Sequence, residues 1–339
     1  MSLPAACAWS LATALLLAGC AHREPAAAAP PVAIPIAAQP VTIETLQLAA
    51  AAFAPDRVQV RVYLPPGYAA ATGRYRVLYV NDGQDMDAVQ LQPTLARLYA
   101  RDAIGPVIVV AIHMLPDRMG SYGLSDRTAG RSLPANTRHG AVGTRAHEYS
   151  QWVANELVPA IDARYRTRTS PDARAVLGWS LGALNAFNLG WQYPELFGRI
   201  GAFSPSLWLS ADNSDADAVQ RTRLAQAMVD RSQARTGLKL FFAVGSAEET
   251  DDRDGDGSFD ALDDTRDLIA GYGNADAPKA RGLAQLGYSI NLDHAARATR
   301  ADVALLLLEG GEHNQASWAR MLPAFLQWAY GRQGQATTR

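Results

Sequence analysis

Short apolar runs, separated by polar segments of helical period, set the architecture of this chain. Residues 58–64 alternate apolar and polar positions, as a strand with one covered face does. Residues 76–80, 107–112, 175–177, 200–203, 238–244 and 303–308 are instead almost continuously apolar, as strands buried on both faces are. With 42–48 these make eight predicted strands. Between them, residues 93–101, 147–165, 184–192, 219–231, 262–271 and 316–330 repeat their apolar positions at helical spacing. Buried strands alternating with helices imply an α/β fold, a mostly parallel sheet of about eight strands with helices on both faces. Residues 120–144, rich in Gly, Arg and Ser, are predicted to form a long loop at the rim of a site.

One segment breaks this rhythm chemically. Gly178-Trp179-Ser180-Leu181-Gly182 follows the apolar run 175–177 and opens a segment of small residues. Strand, Gly-x-Ser-x-Gly, helix is the order of a nucleophile elbow, in which flanking glycines let strand and helix backbones crowd together beneath an exposed serine. Ser180 is therefore the candidate nucleophile.

A serine hydroxyl needs a base, and the base needs an orienting acid, following the nucleophile in the order Ser, acid, His. Of six histidines, His22, His113, His139 and His147 precede Ser180. His313 follows the last apolar strand directly and precedes an amphipathic helix, so it is the candidate base; His294 has no strand before it and reads as a surface residue. The acid is expected after residues 238–244. Glu248 is the first choice there, with Glu249, Asp251 and Asp252 as rivals. The oxyanion hole takes one backbone N–H from Leu181 and one from the loop Asn81-Asp82-Gly83-Gln84, by position Gln84 with Gly83 as alternate.

The combination of Asn81-Asp82-Gly83-Gln84, the elbow, Phe203-Ser204-Pro205-Ser206-Leu207-Trp208, Gly245-Ser246-Ala247-Glu248 and Gly310-Gly311-Glu312-His313-Asn314 with Trp318 resembles the esterase D and enterochelin-esterase-like family over residues 41–331. The resemblance implies an α/β-hydrolase fold and a serine esterase that hydrolyses carboxylic esters through an acyl-enzyme. It also implies no organic cofactor, a small-molecule ester as substrate, and Trp179 and Trp208 near the substrate pocket. Core packing is the competing reading for both indoles. Two other functions are kept open: an acyltransferase of the same fold, and a non-catalytic, calcium-dependent surface-binding lipoprotein.

Composition narrows the setting. Thirty-one Lys and Arg against 33 Asp and Glu leave a net charge of −2, with no basic block along the chain, which argues against nucleic acid as a partner. The only cysteines are Cys7 and Cys20. Residues 11–17 are apolar but too short to cross a bilayer, and Leu17-Ala18-Gly19-Cys20 resembles a lipobox. Residues 1–19 then read as a lipoprotein signal, with Cys20 as the lipidation site of an extracytoplasmic, membrane-tethered protein. The leader lacks Lys and Arg, and an ordinary secretory signal is the alternative. Residues 20–40 form an Ala/Pro-rich spacer, 41–331 the esterase domain and 332–339 a tail.

Finally, Asp252, Asp254, Asp256, Ser258, Asp260 and Asp263 sit at the oxygen-ligand positions of a twelve-residue calcium loop, with Gly257 at its turn and Asp in place of the usual last Glu. A structural Ca²⁺ is expected there, the alternative being a solvated acidic loop.

Overall fold

The computed structural model describes residues 40–332 except 138–139, 254, 256 and 275–276. All of these belong to the unit Pro35–Arg339. Nine strands form the main sheet: β1 (Thr42–Ala49), β2 (Arg57–Leu64), β3 (Arg76–Val80), β4 (Val107–Ile112), β5 (Arg174–Trp179), β6 (Arg199–Phe203), β7 (Lys239–Gly245), β8 (Ile290–Asn291) and β9 (Val303–Leu308). Their spatial order is β1-β2-β4-β3-β5-β6-β7-β9-β8. The β1–β2 and β2–β4 pairs are antiparallel and all the others are parallel.

The continuous apolar strands are explained by cover on both faces. Along β3, Val77 and Tyr79 join one core, while Leu78 and Val80 join the other, because successive side chains point to opposite faces. The first core packs beneath the helical rod of residues 146–164 and the helix Leu181–Gln192; the second packs beneath Leu91–Ala100 and the closing helix Gln315–Tyr330. Every residue of β4 and β5 is buried. At such positions truncating one leucine to alanine costs about 2–5 kcal/mol, so the sheet holds its loops on a rigid base.

Several expectations need correction. The helix predicted over 219–231 is two, Ala216–Thr222 and Leu224–Asp230, broken at Arg223. That arginine is buried and pairs with Asp264 and Asp267, contacts set by residues some forty positions away. The predicted loop 120–144 contains two short hairpins, Leu124–Asp126 with Arg131–Leu133 and Ala135–Thr137 with Gly140–Val142. It is moored to the helix after Ser180, since Ser125 donates its N–H to Asn188 Oδ1 at 2.8 Å. His294 is not a surface residue: it is buried edge-on against Phe241, 5.1 Å between ring centres, and burial holds its imidazole below the ordinary histidine pKa.

Among the described residues, no helix is long and apolar enough to cross a membrane. Cys20 lies outside them.

Candidate active site

Ser180 follows β5 and caps the helix Leu181–Gln192 at φ 55°, ψ −127°, a conformation that costs a non-glycine residue on the order of 1–3 kcal/mol. Backbone bonds hold it there: its N–H donates to Phe203 O at 3.0 Å, and its carbonyl accepts from Ala183, Leu184 and Ser206. The flanking glycines are required by contact. A Cβ at Gly178 would collide with the Gly182 carbonyl, and one at Gly182 would lie 2.5 Å from Asp82 Oδ2. Two neighbouring strands are also followed by a non-glycine residue at positive φ, Asp82 after β3 (φ 56°) and Ser204 after β6 (φ 47°).

Glu248 and His313 come together from the loops after β7 and β9, with His313 Nδ1 lying 3.0 Å from Glu248 Oε2. A carboxylate only accepts, so Nδ1 carries the proton and Nε2 presents its lone pair. The Glu248 side chain is 1% exposed and that of His313 is 41% exposed, a buried acid beneath an accessible base. Such a buried charge needs donors. Gly245 N–H and Ser204 Oγ each donate to Glu248 Oε1 at 2.6 Å. The Trp318 indole in turn donates to Ser204 Oγ at 2.9 Å, while its ring meets the His313 ring edge-on at 5.4 Å and stacks on Trp179 at 5.5 Å. Trp318 thus touches both the residue before the nucleophile and the candidate base. Among the described residues no hydrogen bond joins Ser180 Oγ to His313.

Two of the rival acids have other partners. Glu249 accepts from Ala261 N–H, and burial raises its pKa. Asp252 accepts from the N–H groups of Gly255 and Gly257.

The turn after β3 meets the elbow from the other side. Asn81 donates to Gly182 O at 2.9 Å and Asn185 Oδ1 at 3.1 Å, and accepts from Tyr149 OH. The Asp82 carboxylate, 1% exposed, is gripped by Arg118 through Nε at 2.7 Å and Nη2 at 2.8 Å. Burial pulls the Arg118 pKa down, but its bonds to Asp82 outweigh that and raise it. Gln84 lies in the 3₁₀ turn Gly83–Asp85, donating to Asp82 Oδ1 and accepting from Met114 N–H. Leu181 opens its helix, so its N–H has no acceptor within the helix and stands at the positive end of the dipole. Arg118 and Tyr122, whose hydroxyl accepts from Asp82 N–H, carried no sequence signal for this role.

Trp179, expected near the pocket, is a core residue. It is 2% exposed and its indole donates to Asp85 Oδ2 at 2.9 Å, which fixes it under the elbow. Trp208 is 40% exposed, two residues after Ser206. In the expected calcium loop, Asp254 and Asp256 lie outside the described residues. Arg253 donates to Asp260 from both backbone and guanidinium, Ser258 accepts from Arg266, and Asp263 stands in the first turn of the helix Asp260–Ala270. Among the described residues no three His, Cys, Asp or Glu side chains converge on a common point.

The strand order and the elbow define an α/β-hydrolase fold. Within it the chain belongs to the esterase family, described as "Putative esterase", whose model matches residues 51–272. It is 26% identical over 147 residues to the uncharacterized protein YbbA of Bacillus subtilis, a match covering 43% of this chain and 56% of that one. It is 29% identical over 170 residues to an endo-1,4-beta-xylanase/feruloyl esterase of Xylanibacter ruminicola, covering 47% of this chain and 21% of that one. The chain thus spans about half the length of the first relative and a fifth of the second. A solved ferulic acid esterase superposes with a TM-score of 0.59 at 15% identity, over 86% of this chain and 98% of the other.

Proposed function

We propose that this protein is a serine esterase that hydrolyses carboxylic esters through an acyl-enzyme. The observation that carries the reading is the 3.0 Å pairing of His313 with the buried Glu248, on loops leaving the same sheet edge as Ser180. In this mechanism His313 Nε2 takes the Ser180 proton as the hydroxyl oxygen attacks the ester carbonyl, and Glu248 stabilises the imidazolium that results. The Leu181 and Gln84 N–H groups receive the oxyanion. The imidazolium then protonates the leaving alcohol, and a water activated by the same nitrogen releases the acid and frees Ser180. The serine–histidine hydrogen bond is often long in free enzymes and shortens with substrate bound.

The test is fluorophosphonate labelling with hydrolysis of a panel of acetyl, feruloyl and other aryl esters. Wild type is expected to label and turn over, and Ser180→Ala to lose both while keeping its melting temperature. A folded Ser180→Ala variant that still hydrolyses esters overturns the reading.

Lipidation of Cys20, and with it an extracytoplasmic membrane tether, is supported by the lipobox spacing; incorporation of labelled palmitate that Cys20→Ser abolishes is the expected result. For residues 252–263 the oxygen spacing supports a structural Ca²⁺, in competition with Arg253 for Asp260. A melting temperature that rises from chelator to millimolar calcium, and no longer does so in Asp254→Ala/Asp256→Ala, is the result that assigns the ion; an unchanged one dismisses it.

A further inference from the structure

The parallel strands give the main sheet two unlike edges. Asp82, Ser180, Ser204, Glu248 and His313 all follow the ends of their strands. The opposite edge, where the strands begin, is cationic: Arg76 opens β3, Arg174 opens β5, Arg199 opens β6 and Lys239 opens β7. Strands of five to seven residues put roughly 16–23 Å between the two edges.

Part of this charge is matched. Arg174 pairs with Asp162, Lys239 lies 3.6 Å from Asp302, and Arg332 lies 2.8 Å from Asp102. Arg74, Arg76 and Arg168 have no carboxylate partner among the described residues. Arg74 and Arg168 instead donate to main-chain carbonyls, of Thr167 and Arg74. Arg74, Arg76, Arg168 and Arg332 line a cavity of about 660 Å³ together with Tyr75 and Tyr330. This surplus stands out on a chain whose net charge is −2. It is invisible along the sequence, because the strand starts gather it from separate segments.

The chain also enters the domain at this edge. In the β1–β2 register Thr42 faces Leu64, and in the β2–β4 register Tyr63 faces Val109 near the start of β4. The described chain therefore begins, at Pro40, on the edge where the parallel strands start and away from Ser180. The twenty residues from Cys20 to Pro40 reach at most about 70 Å, and any shorter path lets this edge meet whatever surface holds the N-terminus.

We propose that the arginine-lined starting edge of the sheet is a docking surface for anionic phospholipid headgroups, which turns the catalytic edge away from the lipid. Guanidinium groups suit phosphate because their N–H donors are set in a fixed fork and stay charged. Net negative charge elsewhere on the chain disfavours any other face against the same surface. The inference goes beyond ester hydrolysis and is independent of whether Cys20 is acylated.

The test is co-sedimentation of the full chain carrying Cys20→Ser with vesicles of phosphatidylglycerol or of phosphatidylcholine, ester hydrolysis being measured alongside. The expected result is at least tenfold tighter binding to phosphatidylglycerol, weakening as salt rises to 0.5 M because screening shortens the reach of exposed charges. Each arginine facing an anionic leaflet is worth about a fivefold factor, so Arg74→Gln/Arg76→Gln/Arg168→Gln should weaken binding on the order of a hundredfold. Ester hydrolysis should be unchanged, which also shows that the variant is folded. Equal binding to both vesicle types overturns the proposal, as does salt-insensitive binding by the wild type or full retention by a folded triple variant. Displacement by inorganic phosphate beyond matched chloride, without vesicle binding, would make the edge a small-anion site instead. Loss of hydrolysis in Ser180→Ala with vesicle binding intact separates the two functions.

Discussion

The Ser204 hydroxyl donates to Glu248 Oε1 at 2.6 Å and so leaves Oε2 to His313. Trp318 keeps that hydroxyl oriented by donating to its oxygen, which fixes the direction in which Ser204 can give its own proton. A hydrogen bond to a charged group contributes about 1.5–3 kcal/mol, so Ser204→Ala is expected to lower kcat by roughly ten- to a hundredfold with KM little changed. Trp318→Phe keeps the aromatic packing and removes only the donor, and its loss should be smaller. The two losses should not add in the double variant, since both act through one hydroxyl. Steady-state kinetics on one aryl ester checks this; unchanged kcat in Ser204→Ala would remove Ser204 from the network.

Two adjacent carboxylates separate cleanly by environment. Glu248→Gln is expected to cut kcat by about 10²–10⁴, because the amide no longer holds Nδ1 protonated and facing inward. Glu249→Gln retains an oxygen to accept from Ala261 N–H and should stay within a few-fold of wild type. The comparison needs only kcat and a melting curve for each variant, and a damaging Glu249→Gln beside a benign Glu248→Gln would reverse the assignment.

Arg118 is expected to influence both stability and rate. Replacing it with Met strands the Asp82 carboxylate, 1% exposed, without its bidentate partner. Breaking a buried pair costs about 3–5 kcal/mol, and Arg118 is itself a quarter exposed, so about 2–3 kcal/mol is expected in urea unfolding. Because Asp82 precedes the Gly83–Asp85 turn, kcat should fall while KM stays within a few-fold, and guanidinium ion added to the assay should restore part of the rate. A destabilised variant with normal kcat would limit Arg118 to folding.

Acid should destabilise the fold through His294. Burial lowers its folded pKa below the ordinary value of 6.5, so the folded state favours the neutral ring. That contribution is complete above about pH 6.5 and is lost as the pH falls from there through the folded value. His113 is lowered in the same direction, also by burial, and acts in the same window. Melting temperature should therefore drop from pH 7.5 to pH 5.5, and His294→Leu should drop less. An identical slope in the variant would assign the acid sensitivity elsewhere.

The parts legible in the sequence were those fixed by local pattern. Eight strands fall within a residue or two of their predicted runs, six of them because burial on both faces leaves almost only apolar residues, and the ninth, Ile290–Asn291, is a two-residue edge strand too short to show a period. The glycines around Ser180 mark a backbone crowding that side-chain period cannot. What stayed hidden depends on distant partners. Arg223 looks like one more polar helix residue until Asp264 and Asp267 are folded against it. Asp82 looks like a turn residue until Arg118 arrives from beyond β4. His294 has polar neighbours in sequence and apolar ones in space.

Asp82, Ser180 and Ser204, on three adjacent strands, each hold a left-handed backbone without being glycine. At on the order of 1 kcal/mol or more apiece, this row stores a sizeable share of a net stability that is only about 5–15 kcal/mol for a typical domain. Ser204→Gly is therefore expected to lose turnover while recovering some of the stability cost of the missing hydroxyl, and should melt above Ser204→Ala. Heat tolerance and turnover pull against each other along this row, since the kink that burdens the chain is also what aims the Asp82 carboxylate and the two serine hydroxyls. Any thermally hardened descendant of this protein has to find its gains at sites remote from these three residues.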